Sequence, residues 1–361
     1  MRSFKILYIL FALLILVFTA CLKGNLSTPL SIKPAHVDSA FTNQFKLQSG
    51  LTAAIGARSL TLSDGRMLWL FGKSHLNDFN SATQKISCIA NANNAAMIFA
   101  GNNFSTLNNG NADFIPSNEA NTWFTPLHAY QYYDTIFVFT KKEGGSSQNN
   151  KTYIAKLQFP SLQFLSIDSM SLSNTIYGYN IMVDTAIGFC YVYGLKNLKP
   201  TGENDVCLAR FPMNNPYSTW VFYAKDQWVN YAQNAISVTQ IPAENFTIRK
   251  IRNQFVLITQ DAEFMCNQGT HIYSEIASYP YGPFLNHTQI YTIEDKIGTV
   301  TSATKQPTIH PEFTSNDELL VTYSIDGFDP CQSTCNNNED EPDYHRIKAI
   351  RVPLKSINPG M

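Results

Sequence analysis

Short apolar runs that end in polar residues recur along the chain and predict β-strands. The first, at 67–71, follows an Asp64-Gly65 turn and is apolar enough to be buried on both faces. The pattern returns at 135–141, 188–196, 254–261 and 318–326. The midpoints of the five runs lie 68, 54, 64 and 65 residues apart, a period of roughly 63, and are Leu70, Val138, Val192, Val256 and Val321.

A repeat of this length, with further strand signals inside each copy, suits one four-stranded blade of a β-propeller. Five copies predict an all-β fold, a five-bladed propeller in a single domain. Another all-β sandwich or barrel, or an irregular mixed fold, is the alternative. In the propeller the five runs are expected to be equivalent strands of the inner region, with all midpoints buried. In the fourth copy, Arg252-Asn253 is predicted to be a two-residue turn.

The composition agrees with a strand-rich domain and excludes several functions. Aromatic residues make up 13% of the 361 residues and charged residues only 15%. The net charge is −1, and no Lys/Arg run is longer than a pair, so nucleic acid is not an expected partner. Phosphate-binding, zincin and nucleophile-elbow motifs are missing from the sequence, so no cofactor is predicted. We expect a monomer.

The N-terminal segment has the features of an export signal. Arg2 and Lys5 precede an apolar run at 6–18, which at about 13 residues is short for the roughly 20 needed to span a bilayer. Small residues then lead to Cys21, an ending that resembles the lipobox of bacterial lipoproteins. Phe18 departs from the aliphatic residue usual there, so simple cleavage or an uncleaved anchor is the alternative. We expect a lipid-anchored envelope protein, in the outer membrane or periplasm, or else a secreted one.

Three segments follow from these patterns. Residues 1–21 are predicted to be a lipoprotein signal peptide ending at Cys21. Residues 22–40, rich in Ser, Thr, Pro and Lys without periodicity, are predicted to be a flexible tether. Residues 41–361 are predicted to form the propeller.

The cysteine count permits disulfides in an exported chain. Six follow Cys21, at positions 88, 190, 207, 266, 331 and 335. Sequence alone suggests one pairing, Cys331 with Cys335, beside the acidic, Asn-rich run 336–343. A Cys-x3-Cys metal half-site is the alternative, but no second half with suitable spacing exists, and no metal is predicted.

Several motifs occur in a fixed order over most of the chain beyond the signal. They are Asp-Gly-Arg at 64–66, Trp-Leu-Phe-Gly at 69–72, Trp-Phe-Thr-Pro at 123–126, Tyr-Val-Tyr-Gly at 191–194, Leu-Ala-Arg at 208–210, Tyr-Gly-Pro-Phe at 281–284, His-Pro-Glu-Phe at 310–313 and Leu-Leu-Val-Thr-Tyr at 319–323. Together they resemble a family of secreted bacterial proteins of unknown function. The resemblance implies a five-bladed propeller distantly similar to arabinanase-type and levansucrase-type glycosidases.

The chain departs from that family where chemistry would matter. Lys73 stands where an acidic residue commonly follows Phe-Gly, and Leu127-His128 replace a Gly-Asp pair. A glycosidase of this kind needs two carboxylates, one as acid and one as base or nucleophile. We therefore expect a funnel that binds a glycan with weak or no hydrolysis. A non-catalytic scaffold for protein contacts at the envelope is the alternative, and fold analogy alone links either to glycans.

Glu312 is the candidate catalytic residue. With His310 it enters the fifth repeat, where side chains are expected to face the axis, and a carboxylate in a dry aromatic funnel can serve as proton donor. His128 is a candidate to hydrogen-bond a hydroxyl-rich ligand. The structural alternatives are that Glu312 accepts backbone N–H bonds, that His310 caps a turn and that His128 is a satisfied core histidine.

Five further residues are candidates for the mouth of the funnel. Lys73, His75 and Asp78 follow the first strand and are expected to rim it, unless they belong to a solvated loop. Trp123 and Tyr179 are expected to stack on a sugar ring, although aromatic residues in strands more often pack the core.

Overall fold

Five antiparallel sheets surround a common axis, each extending outward from a strand beside that axis. The computed structural model describes residues 33–108, 110–145, 150–196, 204–261, 269–298, 300–301, 304–325 and 334–361. The innermost strands contact one another in chain order, and the last contacts the first, which closes the ring. They are Arg58–Thr61, Thr122–Tyr132, Thr175–Asp184, Phe246–Ile251 and Thr304–Ser315.

The remaining strands of each blade follow outward from these five. In blade 1 they are Met67–Phe71, Ala95–Ala100 and Asn103–Thr106; in blade 2, Thr135–Gly144, Thr152–Gln158 and Gln163–Met170; in blade 3, Phe189–Lys196, Asp205–Pro212, Val221–Ala224 and Gln227–Val229. In blade 4 they are Gln254–Gln260, His271–Ala277 and Leu285–Thr292; in blade 5, Glu318–Ile325, Ile347–Pro353 and His36–Val37.

Short elements complete the described part of the chain. Three strand pairs lie outside the blades: Leu51–Ala54 with Ser74–Leu76, Ile86–Ser87 with Glu339–Asp340, and Lys296–Ile297 with Val300–Thr301. The helices are Ser39–Asn43 and Leu354–Ile357, with 3-10 turns at Ala232–Asn234 and Pro342–Tyr344. No helix in the described ranges is long and apolar enough to cross a membrane.

The five-bladed propeller predicted from the repeat is confirmed, and so is the burial of its midpoints. Leu70 is 2% exposed and the four valines are fully buried. The repeated runs are, however, the second strands of their blades rather than the innermost ones. A second strand has a partner on each side and a neighbouring blade against each face, so it is apolar throughout. The innermost strands carry polar groups toward the axis, so they do not show a continuous apolar run in the sequence.

The ring is closed by a strand from the N-terminal side. His36 pairs with Arg351 and Val37 with Ile350, so the last blade takes its outer strand from the beginning of the propeller. Asp38 then caps the helix Ser39–Asn43 by accepting from the Phe41 N–H. The propeller therefore begins before residue 41, and the predicted boundary of the tether is corrected to end before His36. A strand of two residues is too short to show a hydrophobic period, so the sequence pattern does not reveal it.

Two predicted turns are confirmed. Gly65, in the Asp64-Gly65 turn, has φ +84°, the left-handed conformation that favours glycine. Arg252, in the turn between Phe246–Ile251 and Gln254–Gln260, has φ +54°. Both turns lie at the same end of their blades, between the first and second strands.

Apolar layers between adjacent blades form the core. Tyr130 and Phe139 of blade 2, for example, pack with Phe211 and Trp220 of blade 3. The Phe211 and Trp220 rings are stacked with centroids 4.8 Å apart. This inter-blade packing explains the high aromatic content, because large flat rings fill the space between two twisted sheets.

The predicted Cys331–Cys335 disulfide is wrong. Cys335 is bonded to Cys88, with Cα atoms 5.5 Å apart and 247 residues between them in sequence. The pairing of Ile86–Ser87 with Glu339–Asp340 brings the two segments together. Cys331 lies outside the described residues. Cys190 and Cys207 are buried thiols, and burial raises the pKa of each to about 12.

Candidate functional site

The innermost strand of every blade places a polar side chain in the centre of the ring. These residues are Arg58, His128, Asn180, Arg249 and His310, in order of blade. All five are buried, with 0% to 8% of their surface exposed. Because the innermost strands meet there, side chains far apart in sequence become neighbours. We call this group, with Ser59 and Glu312, the axial cluster.

Arg249 links three blades through its guanidinium group. Its Nη1 donates to Asn180 Oδ1 and to the Ile248 carbonyl, and its Nη2 donates to His128 Nε2. An arginine can only donate, so His128 accepts at Nε2 and carries its proton on Nδ1. Burial and the nearby Arg249 charge hold the pKa of His128 well below its usual value, which keeps the imidazole neutral.

Arg58 lies near Arg249, and neither guanidinium forms an ion pair with a carboxylate in the part of the chain that the structure describes. Arg58 Nη1 donates to the Tyr179 carbonyl at 2.8 Å, while its buried Nε has no hydrogen-bond partner among those residues. Burial lowers the pKa of both arginines to about 10, and for Arg58 the charge of Arg249 adds to the effect. Both remain cationic at neutral pH. The arginine ion pairs among the described residues are those of Arg66, Arg252, Arg346 and Arg351.

Ser59 connects His310 to Glu312. Its hydroxyl donates to Glu312 Oε1, so with its single proton used it accepts from His310 Nδ1 at 2.7 Å. His310 Nε2 then accepts from the Thr322 hydroxyl, also at 2.7 Å. Burial, with the charges of Arg249 and Arg58, holds the pKa of His310 well below its usual value. The Trp69 indole stacks on the His310 imidazole, with ring centroids 4.4 Å apart, and this contact holds the imidazole in its plane.

The structure brings Glu312, His310 and His128 together at the centre of the propeller. Glu312 takes its hydrogen bond from the Ser59 side chain, and His310 bonds two hydroxyl groups rather than capping a turn. The Glu312 side chain is 18% exposed, so it retains access to solvent. Its catalytic role stays a prediction. Within the five innermost strands the only other carboxylate is Asp184, whose oxygen accepts from Ala186 N in the turn after blade 3's first strand.

A cavity of about 840 Å³ opens at the turn end of blades 1 to 3. It is lined by residues 60–63 of blade 1, residues 128–131, 133, 134 and 159 of blade 2, and Ile181 and Val183 of blade 3. His128 belongs both to this lining and to the axial cluster, so the cavity borders one member of the cluster. Tyr133, which is 79% exposed, is one of the residues that line the cavity. The volume falls within the roughly 300–1,000 Å³ typical of small-molecule sites.

The two predicted stacking aromatics have different surroundings. Tyr179 is only 5% exposed, and its ring stacks on Phe246 at 5.9 Å, so it packs the core. Trp123 is half-buried at the start of blade 2's innermost strand, opposite Glu143. The direct contribution of Tyr179 to the cluster is its backbone carbonyl, which receives the Arg58 bond.

His75 and Asp78 belong to a separate cluster. His75 lies in the strand Ser74–Leu76 with its Nδ1 2.6 Å from Asp78 Oδ2, and its ring is 5.4 Å from that of His345. His345 Nε2 in turn lies 3.1 Å from Asp340 Oδ2. Burial lowers the pKa of His75. These residues join the loops of blades 1 and 5 beside the disulfide, so the expectation that they rim the funnel is corrected. Lys73, just before them, is exposed.

Sequence reasoning missed Ser59, Arg58, Asn180 and Arg249. A signal was available for the two arginines, because each is a charge inside a strand whose neighbours are largely buried. No group of three or more metal-binding side chains occurs in the ranges that the structure describes.

The protein is a five-bladed propeller in which a basic, hydrogen-bonded axial cluster lies beside an open cavity. Residues 38–352 match the model of the family described as "Domain of unknown function (DUF5005)". The chain belongs to that family. No curated protein matches it.

Solved structures share the fold. A Bacteroides ovatus protein classed provisionally as a hydrolase has a TM-score of 0.70 at 17% identity, with 88% of this chain and 90% of that one covered. A GH43_1 enzyme from Xanthomonas citri complexed with xylose has a TM-score of 0.50 at 10% identity, covering 88% and 93%. An exo-β-1,3-galactanase from Phanerochaete chrysosporium with galactose has a TM-score of 0.50 at 14% identity, covering 89% of this chain and 64% of that one.

Proposed function

We propose that the cavity and the axial cluster bind a carbohydrate. The observation that carries the proposal is the contact between the two: a space of about 840 Å³, lined mostly by apolar and aromatic side chains, includes His128, a member of the cluster, in its lining. Tyr133 offers an exposed aromatic face. Ser63 and Gln131, which are hydrogen-bonded to each other, add polar groups to the lining. Such a combination suits a sugar, which has an apolar ring face and hydroxyl groups around its edge.

The structural neighbours support this choice. Two proteins of the same fold, from X. citri and P. chrysosporium, were solved with xylose and galactose. At 10% and 14% identity they share only the architecture, so the sugar is proposed from the cavity of this chain and not transferred from theirs.

We expect hydrolysis to be weak or absent. Glycosidases of either stereochemical course use two carboxylates about 5–10 Å apart across the scissile bond. The innermost strands supply Glu312, whereas Asp184 is held in the turn at their end. Glu312 remains the residue we propose for any proton donation.

Calorimetric titration with neutral and acidic oligosaccharides, chosen from a glycan array, tests the proposal. His128→Ala is expected to weaken binding about tenfold or more, since it removes part of the cavity lining and the acceptor of Arg249 Nη2. Glu312→Gln tests the carboxylate in both binding and hydrolysis assays. His271→Ala, a third-strand residue of blade 4, is the control. Failure of every glycan to bind the wild type would exclude carbohydrate binding.

We further propose that the protein is exported and anchored through lipid on Cys21. The basic start, the apolar run and the small residues before Cys21 support this, and a disulfide such as Cys88–Cys335 is typical of oxidising compartments. Detergent partitioning after expression in a lipoprotein-processing host tests it. The wild type should enter the detergent phase and Cys21→Ala the aqueous phase; both in the aqueous phase would rule out the anchor.

A scaffold for protein contacts is the second candidate. Exposed apolar side chains cluster around the turn end of blades 2 and 3, where Tyr133, Val183 and Ile187 are 79%, 44% and 48% exposed. Such a patch suits a protein partner as well as a glycan. Glycan binding that is unchanged in His128→Ala but lost in Tyr133→Ser would favour this outer surface. We expect the protein itself to be monomeric, which light scattering would show.

A further inference from the structure

The axial cluster has more donors and more positive charge than it can satisfy internally. Arg58 and Arg249 are both cationic, His128 and His310 are neutral, and Glu312 is the carboxylate of the cluster. One positive charge is left uncompensated in a buried setting. An unpaired buried charge is costly, so an anion that reached this place would be held strongly.

The donors without a partner also indicate a place for an anion. Arg58 Nε and Asn180 Nδ2 have no hydrogen-bond partner among the described residues, and both residues are buried, Arg58 at 3% exposed and Asn180 fully. Both atoms can only donate. Two acceptors of the cluster, Asn180 Oδ1 and His128 Nε2, already receive bonds from Arg249. What the cluster lacks is a second group with acceptor oxygens and a negative charge, in addition to Glu312.

We propose that the axial cluster is the subsite for the carboxylate of an acidic sugar, a uronic acid residue within the bound glycan. This inference rests on the proposed carbohydrate function and specifies its ligand class. A carboxylate is planar and carries one charge, which matches both the geometry of a guanidinium group and the single charge left over. The cavity would hold the sugar ring beside His128, and the carboxylate would have to pass this histidine to reach Arg58 and Asn180, which are buried and do not line the cavity.

Glu312 fits this arrangement as the opposing charge. It is hydrogen-bonded to Ser59 and favours the charged form of Arg249, so it balances one of the two arginines in the empty cluster. A second carboxylate from the ligand would balance the other. The cluster would then select acidic over neutral sugars without any change in its own protonation.

Calorimetry with trigalacturonate and with its methyl ester, in which each carboxylate is replaced by a neutral ester, tests the inference on the wild-type full chain. We expect the acid to bind at least about tenfold more tightly, a difference of about 1.4 kcal/mol. Equal affinity for both would overturn the acidic subsite and leave the carbohydrate function intact. Binding of neither, together with failure of the glycan array, would overturn the carbohydrate function itself.

Arg58→Gln is the variant that assigns the effect to the cluster. It should abolish the preference for the acid while keeping the affinity for the ester. Arg252→Gln, which removes an exposed arginine paired with Asp317, should keep the preference. If Arg58→Gln fails to fold, Arg58→Lys retains the charge without the Nε donor and should reduce the preference. A preference unchanged in the folded Arg58 variant would place the anion elsewhere and overturn the assignment.

Discussion

His128 and His310 show how a buried imidazole makes stability depend on pH. Both have a pKa held well below the ordinary value of 6.5, chiefly by burial and then by the arginines. In the unfolded chain they take up protons near pH 6.5, whereas in the folded protein they do not. Protons therefore favour the unfolded state as the pH falls below 6.5.

We predict that the free energy of unfolding declines from pH 7 toward pH 5, by up to about 1.4 kcal/mol per pH unit for each histidine. Urea denaturation at several pH values measures this. His128→Gln should reduce the slope between pH 6.5 and 5, because one of the buried histidines with a lowered pKa is gone. A slope that is identical in wild type and His128→Gln would contradict the assignment of His128 as a buried neutral group.

At the scale of elements, the edge strand His36–Val37 is secured mainly by the residue after it. Asp38 caps the following helix through Phe41 N and forms an ion pair with Arg351 Nε at 2.7 Å. Both side chains are largely buried, at 13% and 18% exposed, so the pair is shielded from solvent. Arg351 also donates to the Phe313 carbonyl of the innermost strand, which ties the edge of blade 5 to its centre.

Asp38→Ala is expected to destabilise the propeller by about 1–3 kcal/mol, through loss of the cap and of the charged hydrogen bond. Thermal and urea denaturation measure the change. Asp64→Ala, which breaks the more exposed ion pair with Arg66, provides the matched control and should cost at most about 1 kcal/mol. Equal effects of the two substitutions would show that closure of the ring does not depend on Asp38.

The elements also show what the sequence reveals and what it hides. The second strands were found because burial on both sides makes each of them a continuous apolar run. The innermost strands are harder to recognise in the sequence, because the presence of Arg58 and Arg249 in them is explained only when five strands meet around an axis. His310 and Glu312 were anticipated from the fifth repeat, but their link through Ser59 joins residues about 250 positions apart, as does the Cys88–Cys335 bond.

For the whole molecule, the Cys88–Cys335 disulfide joins blade 1 to the loop of blade 5. We predict that non-reduced peptide mapping of exported protein will recover this bond. Cys88→Ser should lower the free energy of unfolding by up to about 5 kcal/mol, because the closed loop is long. Cys190→Ser, at a buried thiol, is the control for loss of a cysteine without loss of the bond. Recovery of a Cys331–Cys335 peptide instead would contradict the pairing.

The closing strand has a consequence for the order in which the ring can be completed. His36 and Val37 leave the ribosome among the earliest residues of the propeller, but the strand they pair with, Ile347–Pro353, is among the latest. Blades 1 to 4 consist of consecutive strands and can form as they are synthesised. Blade 5 cannot form in this way, because the strand His36–Val37 has no partner until synthesis of the propeller is nearly finished. Completion of the ring is therefore a late event that depends on the beginning of the chain staying available for its end.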